Sequence, residues 1–210
     1  AADELQDLFP ITFTQGSTFI GINIDFVGEG KVMWSQYAYV MKVVSNYLKK
    51  CPGEKIRTAW TPIVKSQPDR TFDDEKGVMA DVCREVLGAV LFVARCTRYD
   101  VSFAVQRLCR HVSCWTQRDD RDLHRLMCYM WTTANTSMVW NVSGADCGKL
   151  RLETCSDSDF ADDGEANYKS TSGWTTMILG DDGTKVLLDW GSKKQTMVCR
   201  STCEAEILAA

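Results

Sequence analysis

Hydrophobic residues recur at every second position in residues 19–26, which is typical of a β-strand with one buried face. A glycine-rich turn at 28–30 follows, and residues 31–34 form a second short apolar run. The pattern predicts a β-hairpin. Ile20, Ile22, Ile24 and Phe26 would lie on one face of the first strand, and Asn23 and Asp25 on the other.

From residue 36 the apolar spacing changes to three and four, which is typical of helices. The first helix is predicted over 36–50, and its apolar stripe comprises Tyr37, Val40, Met41, Val44 and Leu48. Residues 52–75 hold prolines and show no period, so they form a linker or a draped loop. A buried helix is predicted over 77–96, another after Asp100 as its N-cap, and a third over 118–131.

The last third of the chain reads as strands followed by the start of a helix. Strands are predicted at 136–142, before Cys155, at 174–179 and at 184–190, with a hairpin turn at Asp181-Asp182-Gly183. The tract Ser201-Thr202-Cys203-Glu204 fits a capping box, in which Ser201 caps the helix and Glu204 bonds back to the cap amide.

Composition places the chain among ordinary globular proteins. It has 210 residues, 45% of them hydrophobic and 25% charged, and no run of 18 apolar residues, so a membrane partner is not expected. The start without Met suggests a piece of a longer chain. Ten cysteines in a chain of this size are interpreted as reduced thiols, with a zinc site around Cys109, His111 and Cys114 as the weakest alternative.

Charge is distributed unevenly, although the net charge is only −4. Residues 1–30 carry five acids and no base, whereas residues 31–70 carry eight bases and two acids. Residues 149–190 carry nine acids and four bases. A nucleic-acid partner would be held by the basic segment, and cations by the acidic one.

Carboxylates cluster where the predicted strand through Cys155 ends. Alternation places Asp157 and Asp159 on one side of the strand, and Glu206 follows on a turn of the last helix. Hard carboxylate oxygens on a strand and on a nearby helix can share Mg²⁺. A polar strand end that runs into an Asp-rich turn, at Asp162 and Asp163, is the other explanation, and spacing alone favours it over a metal site.

Four blocks of the chain resemble, in order and spacing, the ribonuclease H domain of copia-type retrotransposon polyproteins. They are Cys155–Asp163, Lys169–Trp174, Trp190–Gln195 and Val198–Ala210. Residues 86–133 look like the connection that follows a copia-type reverse transcriptase, and residues 19–22 and 30–44 look like the end of its palm and the start of its thumb.

The resemblance implies a mixed α/β fold. It would comprise a palm-end β-hairpin with thumb and connection helices, and then a truncated ribonuclease H-like mixed sheet with the start of its first helix. The implied domains are 1–75, 76–135 and 136–210.

The implied reaction is hydrolysis of the RNA strand of an RNA·DNA hybrid with Mg²⁺, or Mn²⁺ in its place. Asp157 and Glu206 would be both the catalytic residues and the metal ligands, while Asp159 acts locally and Glu204 is structural. The implied partners are the hybrid or template–primer and the remainder of the Pol polyprotein, without a small-molecule cofactor. The implied location is the cytoplasm, in a virus-like particle, or the nucleus.

Two departures limit the expected activity. The family's further acidic ligands would lie beyond Ala210, and its polymerase Tyr-x-Asp-Asp block would lie before Ala1. We therefore expect that this polypeptide alone neither polymerises nor cleaves efficiently. The alternative is a non-catalytic remnant that only binds nucleic acid or a protein.

Overall fold

The computed structural model describes residues 18–64, 75–160 and 168–210. The strands are β1 (Thr18–Phe19), β2 (Ile22–Gly28), β3 (Lys31–Ser35), β4 (Met138–Asn141), β5 (Arg151–Asp159), β6 (Thr171–Leu179) and β7 (Lys185–Lys194). The helices are α1 (Tyr37–Lys50), α2 (Cys83–Cys96), α3 (Ser102–Arg110), α4 (Gln117–Thr132) and α5 (Thr202–Ala209). Across these ranges no helix combines the length and apolar character needed to cross a bilayer.

The described strands form one sheet in the order β1-β2-β3-β4-β7-β6-β5. The prediction of an α/β fold is confirmed, but the prediction of a mixed sheet is not met here, because every described pair is antiparallel. β5 pairs with β6 along its whole length, whereas β4 and β7 meet only at Asn141 and Lys185. The predicted hairpin is confirmed as β2–β3, and it joins the other strands through β4. Its predicted apolar face is buried only at Ile22, which is 6% exposed, whereas Ile20 and Phe26 are 63% and 82% exposed.

The main hydrophobic core lies among the helices. α1 packs against α2 and α4, and α3 packs against α2, α4 and strand β7. Fully buried side chains at this core include Val40, Leu87, Val90, Leu126, Met127 and Met130. Core residues come from both sides of residue 75, and the division of the chain at 75 and 135 stays a prediction.

The apolar stripe of α1 is rotated from the predicted one. Val40 and Val44 are buried as expected, but Tyr37 is 45% exposed and Tyr47 is buried in its place. The hydroxyl of Tyr47 lies 3.0 Å from Nδ1 of His124 on α4. A hydrogen-bonding partner inside the core thus favours a tyrosine that the apolar spacing alone did not select.

The predicted helix over 77–96 begins only at Cys83. The carboxylate of Asp120 accepts hydrogen bonds from the backbone amides of Val78 and Met79, at 2.6 and 3.1 Å, and these bonds hold the preceding turn. A Cβ at Gly77 would lie 2.5 Å from the carbonyl oxygen of Thr116, so only glycine fits this approach. Tertiary contacts therefore replace the first turns of the predicted helix.

The prediction of Asp100 as an N-cap is wrong, because its carboxylate pairs with Arg98. Nε and Nη2 of Arg98 donate to the two oxygens of Asp100 at 2.9 and 2.7 Å. Arg98, 1% exposed, also donates to the carbonyl and hydroxyl oxygens of Thr133, and the Tyr129 hydroxyl donates to Asp100 at 2.7 Å. Burial opposes ionisation of Asp100, but the hydrogen bonds and charge of Arg98 outweigh it, and the pKa of Asp100 is lowered.

A second buried carboxylate fixes the start of α4. Oδ2 of Asp119 accepts from the backbone amide and the hydroxyl of Thr116, which completes a capping box. Its Oδ1 lies 2.6 Å from Nδ1 of His111. Burial works against the charged form, yet these hydrogen bonds prevail, and the pKa of Asp119 lies below its usual value.

We expect the free energy of unfolding to fall in acid because of these two carboxylates. A lowered native pKa contributes stability above the unfolded pKa, about 3.9 for Asp, and this stability is lost as pH falls through the native pKa. Asp122, whose pKa burial raises, acts in the opposite sense. Urea unfolding at pH 6 and at pH 3 measures the loss.

The control for this acid effect is Asp81, whose side chain is 86% exposed. Asp119→Asn should reduce the difference between the two pH values, and Asp81→Asn should leave it unchanged. An equal stability at both pH values in the unsubstituted chain would contradict the assignment.

Candidate functional site

The two faces of the β5–β6–β7 region carry different side chains. Asp157 pairs with Gly173, which pairs with Ser192, so these three lie in one row across the sheet. The next row contains Ser158 and Ser172, which point to the opposite face because side chains alternate along a strand. Each face is covered by a different helical element.

Asp157 lies on the face covered by α3. Its side chain is exposed and lines a cavity of about 420 Å³ between the sheet and the helices, with Tyr99 and Phe103 on the helical side. Trp190 closes one wall, and its indole Nε1 donates to the carbonyl oxygen of Ala94 at 2.8 Å. The carboxylate of Asp157 therefore faces open space with aromatic walls.

Glu206 comes from the other face. α5 packs against β5 and β6, and Ala205 is fully buried there. Nε2 of Gln195 donates both to the hydroxyl of Ser172, at 3.0 Å, and to the carbonyl of Ala205, at 2.8 Å, so it ties α5 to the Ser172 row. Glu206 follows as a half-buried residue and does not line the Asp157 cavity.

The structure thus brings together the strand and the helix that carry the two predicted site residues, on opposite faces of the sheet. β5 is the outermost of the described strands on its side. An ion shared by Asp157 and Glu206 would consequently have to lie at the outer edge of β5, where the two faces meet. The assignment of both residues as metal ligands stays a prediction.

The neighbouring acids have local partners. Oδ1 of Asp159 accepts a hydrogen bond from the backbone amide of Thr171, which ties the end of β5 to the start of β6. The Ser201 hydroxyl accepts from the amide of Glu204 at 3.2 Å, so the predicted N-cap is confirmed. The Glu204 carboxylate bonds to the amide of Arg200 at 2.6 Å, one residue before the predicted cap amide. Asp162 and Asp163 lie outside the described residues.

Asp146 is a buried carboxylate that the sequence analysis did not single out. It is 0% exposed, and its two oxygens accept from the backbone amides of Asp182, at 2.8 Å, and Thr184, at 2.9 Å. These bonds hold the turn between β6 and β7, which confirms the hairpin reading of Asp181–Gly183. Hydrogen bonds from Thr184 chiefly lower the pKa of Asp146. A lone Asp in a polar turn gives no sequence signal of such a role.

Trp174 and Gly191 pack closely on the α5 face of the sheet. A Cβ at Gly191 would lie 2.3 Å from the ring of Trp174, so the indole lies directly over the glycine. Nε1 of Trp174 donates to the carboxylate of Asp189 at 2.8 Å. The tryptophans of the two family-like blocks therefore have structural roles beside the site.

The described residues alone do not complete a metal centre. No group of three or more His, Cys, Asp or Glu side chains in residues 18–64, 75–160 and 168–210 is placed to hold a metal ion. Asp157 and Glu206 would therefore supply at most two protein ligands. This fits Mg²⁺, which retains waters and is commonly held by one or two carboxylates together with substrate phosphate.

Arginines from the helices bond to the strands beside the site. Nη1 of Arg95 on α2 donates to the carbonyl oxygen of Trp190 at 3.4 Å. Nη2 of Arg110 donates to the hydroxyl of Thr171 at 3.2 Å, so a guanidinium from the helical part reaches the strand beside Asp159. Arg107 of the same helix is 8% exposed and is therefore not a surface residue. Arg110 carries positive charge to the end of the strand that bears Asp157.

Several curated proteins similar to this chain are transposon Pol polyproteins. The chain is 29% identical over 190 residues to the Retrovirus-related Pol polyprotein from transposon RE1 of Arabidopsis thaliana, which covers 90% of this chain and 12% of that protein. It is 32% identical over 123 residues to the corresponding RE2 polyprotein, covering 59% of this chain and 8% of that protein. It is 26% identical over 200 residues to a putative transposon Ty5-1 protein of Saccharomyces cerevisiae, covering 91% of this chain and 58% of that protein.

These matches extend over most of this chain but over less than two thirds of each relative. No family model matches the chain. No solved structure matches it either.

Proposed function

Because this chain is related to the Pol polyproteins of copia-type retrotransposons, we propose that β5, β6, β7 and α5 form part of a ribonuclease H centre that acts on RNA·DNA hybrids. The observation that carries the proposal is the packing of α5 on β5, since it joins the strand of Asp157 to the helix of Glu206. Mg²⁺ would be held by these two carboxylates, with Mn²⁺ as a substitute.

When bound, the metal supplies an activated water and charge stabilisation for the leaving 3′ oxygen. The protein's own part is positioning. Gly173 and Ser192, beside Asp157 in the same row, have small side chains, so a nucleic-acid backbone can approach the carboxylate. The amide of Thr171 anchors the strand end through Asp159. Hybrid duplexes are recognised mainly by backbone shape and 2′-hydroxyls, so the proposed centre needs no base-specific contacts.

The partners follow from the same relationship. The remainder of a Pol polyprotein would be the protein partner, and the hybrid or template–primer the nucleic-acid partner. A cytoplasmic virus-like particle, or the nucleus, is the proposed location.

We expect Mn²⁺ to broaden backbone amide signals selectively around residue 157 and residue 206 in NMR spectra of the 210-residue chain. Asp157→Asn or Glu206→Gln should weaken Mn²⁺ binding by more than about tenfold, because each removes one of the two carboxylates that the described residues would supply. Asp181→Asn is the matched control, since Asp181 sits in the hairpin turn, 2.5 Å from Arg151. Broadening centred elsewhere, or unchanged by Asp157→Asn, would remove the basis of the proposal.

The corresponding activity assay uses a labelled RNA·DNA hybrid with Mg²⁺. Little cleavage by the chain alone is expected, because the described residues offer no third ligand. Robust cleavage that disappears in Asp157→Asn would support the nuclease and contradict the expectation that its site is incomplete.

A non-catalytic binding module is the second candidate function. The absence of a three-ligand group among the described residues favours it, because nucleic acid can be bound without any metal. Hybrid binding that is sensitive to salt but unchanged by Asp157→Asn and Glu206→Gln, without Mn²⁺ binding at either residue, would establish this function in place of the nuclease.

A further inference from the structure

A cysteine and a histidine lie next to each other on α4, away from the Asp157 cavity. Cys128 follows His124 by one helical turn, and its Sγ lies 3.5 Å from Nε2 of the imidazole. The backbone amide of Arg57, in the segment after α1, donates to the same Sγ at 3.4 Å. The sulfur therefore has a base and a hydrogen-bond donor within reach, and both favour the thiolate, which is the nucleophilic form.

A third residue orients the imidazole. The hydroxyl of Tyr47 lies 3.0 Å from Nδ1 of His124, and burial raises the pKa of Tyr47, so the hydroxyl stays neutral. When Nδ1–H donates to the Tyr47 oxygen, Nε2 keeps its lone pair for the thiol proton of Cys128. The carboxylate of Glu54, 3.5 Å from Nε2, then stabilises the resulting imidazolium. A nucleophile, its base and a group that orients the base are the parts of an activated thiol.

A basic cavity gives access to this thiol. Cys128 is only 4% exposed, but it lines a cavity of about 580 Å³ between residues 53–59 and α4, which is large enough for a small molecule. Glu54 is the single acid among the described lining residues, whereas four cations line the same space: Lys55, Arg57, Arg121 and Arg125. This charge attracts anions to Cys128 and repels cations.

Arg125 has a hydrogen-bond donor that no described residue satisfies. Its Nη2 donates to the hydroxyl of Thr61 at 2.6 Å, while its Nε is buried without a hydrogen-bond partner among the described residues. A carboxylate on a ligand is the acceptor that pairs best with a guanidinium. The cavity therefore favours a small molecule that carries carboxylates and can react with a thiol.

We propose that Cys128 is a site of thiol–disulfide exchange with small anionic disulfides, and that His124 is its base. The sulfur of Cys128 attacks one sulfur of the disulfide, so that a new S–S bond joins Cys128 to one half of the ligand and the original S–S bond breaks. The thiol proton passes to Nε2 of His124 and then to the departing thiolate. The products are a mixed disulfide on Cys128 and one free thiol, and the reaction is independent of Asp157 and Glu206.

The test is modification of the 210-residue chain by oxidised glutathione, a disulfide that is negatively charged at neutral pH. The reaction is stopped with N-ethylmaleimide, and tryptic peptides are sequenced by mass spectrometry. Cys147, which is exposed, is an internal reference, because it lies in the same tryptic peptide as Cys128, residues 126–149. Cys128 should be modified at least about tenfold faster than Cys147.

The charge of the disulfide tests the role of the cavity. With cystamine, a small disulfide that carries two positive charges, the ratio of the Cys128 rate to the Cys147 rate should fall at least about fivefold. Arg57→Gln/Arg121→Gln should slow modification of Cys128 by oxidised glutathione but not by cystamine. Lys31→Gln/Lys185→Gln is the matched control, because it removes the same charge at two exposed residues outside the cavity. The same ratio with both disulfides, or equal slowing by the two double variants, would overturn the proposal.

His124→Gln tests the base. It should slow modification of Cys128 at least about tenfold and leave the rate at Cys147 unchanged. If this variant fails to fold, Tyr47→Phe keeps the buried ring, removes only the hydroxyl that orients His124, and should also slow Cys128 selectively. In 8 M urea the two cysteines of the unsubstituted chain should react at similar rates. Equal rates in the folded chain, or a preference for Cys128 that persists in urea, would show that the folded site does not activate the thiol.

Discussion

Trp190→Ala is expected to lower the free energy of unfolding by about 3–5 kcal/mol, the usual loss when a buried aromatic side chain is removed. Trp190 is 8% exposed, its indole bonds to the carbonyl of Ala94, and its ring lies edge-on to Tyr99 at 6.2 Å. The substitution leaves a void where the helices meet the sheet. Urea unfolding followed by far-UV circular dichroism measures the loss.

The control for Trp190 is the same substitution at an exposed tryptophan. Trp60 is 76% exposed, and Trp60→Ala should change the free energy of unfolding by less than about 0.5 kcal/mol. Similar losses at the two positions would contradict the view that Trp190 holds the helices to the sheet.

Asp100→Ala is expected to destabilise the chain by about 3 kcal/mol, because it leaves the guanidinium of Arg98 buried without its counter-charge. This is the lower end of the range for breaking a buried ion pair, since 26% of the Asp100 side chain is exposed and water can replace part of the interaction. The Tyr129 hydroxyl loses its acceptor at the same time. Equilibrium unfolding in urea is the measurement.

Two comparisons test the origin of this loss. Arg98→Met/Asp100→Ala, which removes both charges, should be less destabilised than Asp100→Ala alone. Asp81→Asn breaks the exposed ion pair with Lys76 and should cost less than about 1 kcal/mol. A loss at Asp81 equal to that at Asp100 would show that burial is not the cause.

The sequence predicted the elements whose signals are local. The β2–β3 hairpin, the helices after residue 36, the β6–β7 turn and the Ser201 cap all rest on periodicity or turn chemistry within a few residues. It did not predict what distant residues decide. Asp120, some forty residues away, binds the backbone amides of Val78 and Met79, so α2 begins later than predicted. Arg98 binds the carboxylate of Asp100, which therefore does not cap the next helix.

The sequence likewise predicted only part of the candidate site. The sequence blocks selected Asp157 and Glu206 as site residues. They did not predict that alternation along β5 and the packing of α5 would place the two residues on opposite faces of the sheet. Asp146 was missed because its partners, the amides of Asp182 and Thr184, are defined only after the hairpin has folded.

β4 and β7 are joined by a single residue pair, Asn141 and Lys185. Backbone hydrogen bonds run almost unbroken within β1–β4 and within β5–β7, yet very few can cross from one group to the other. The relative orientation of the two groups of strands is therefore set largely outside the ladder, by the packing of α3 on β7 and by the backbone amide of Ser143, which donates to the hydroxyl of Thr184 at 2.9 Å.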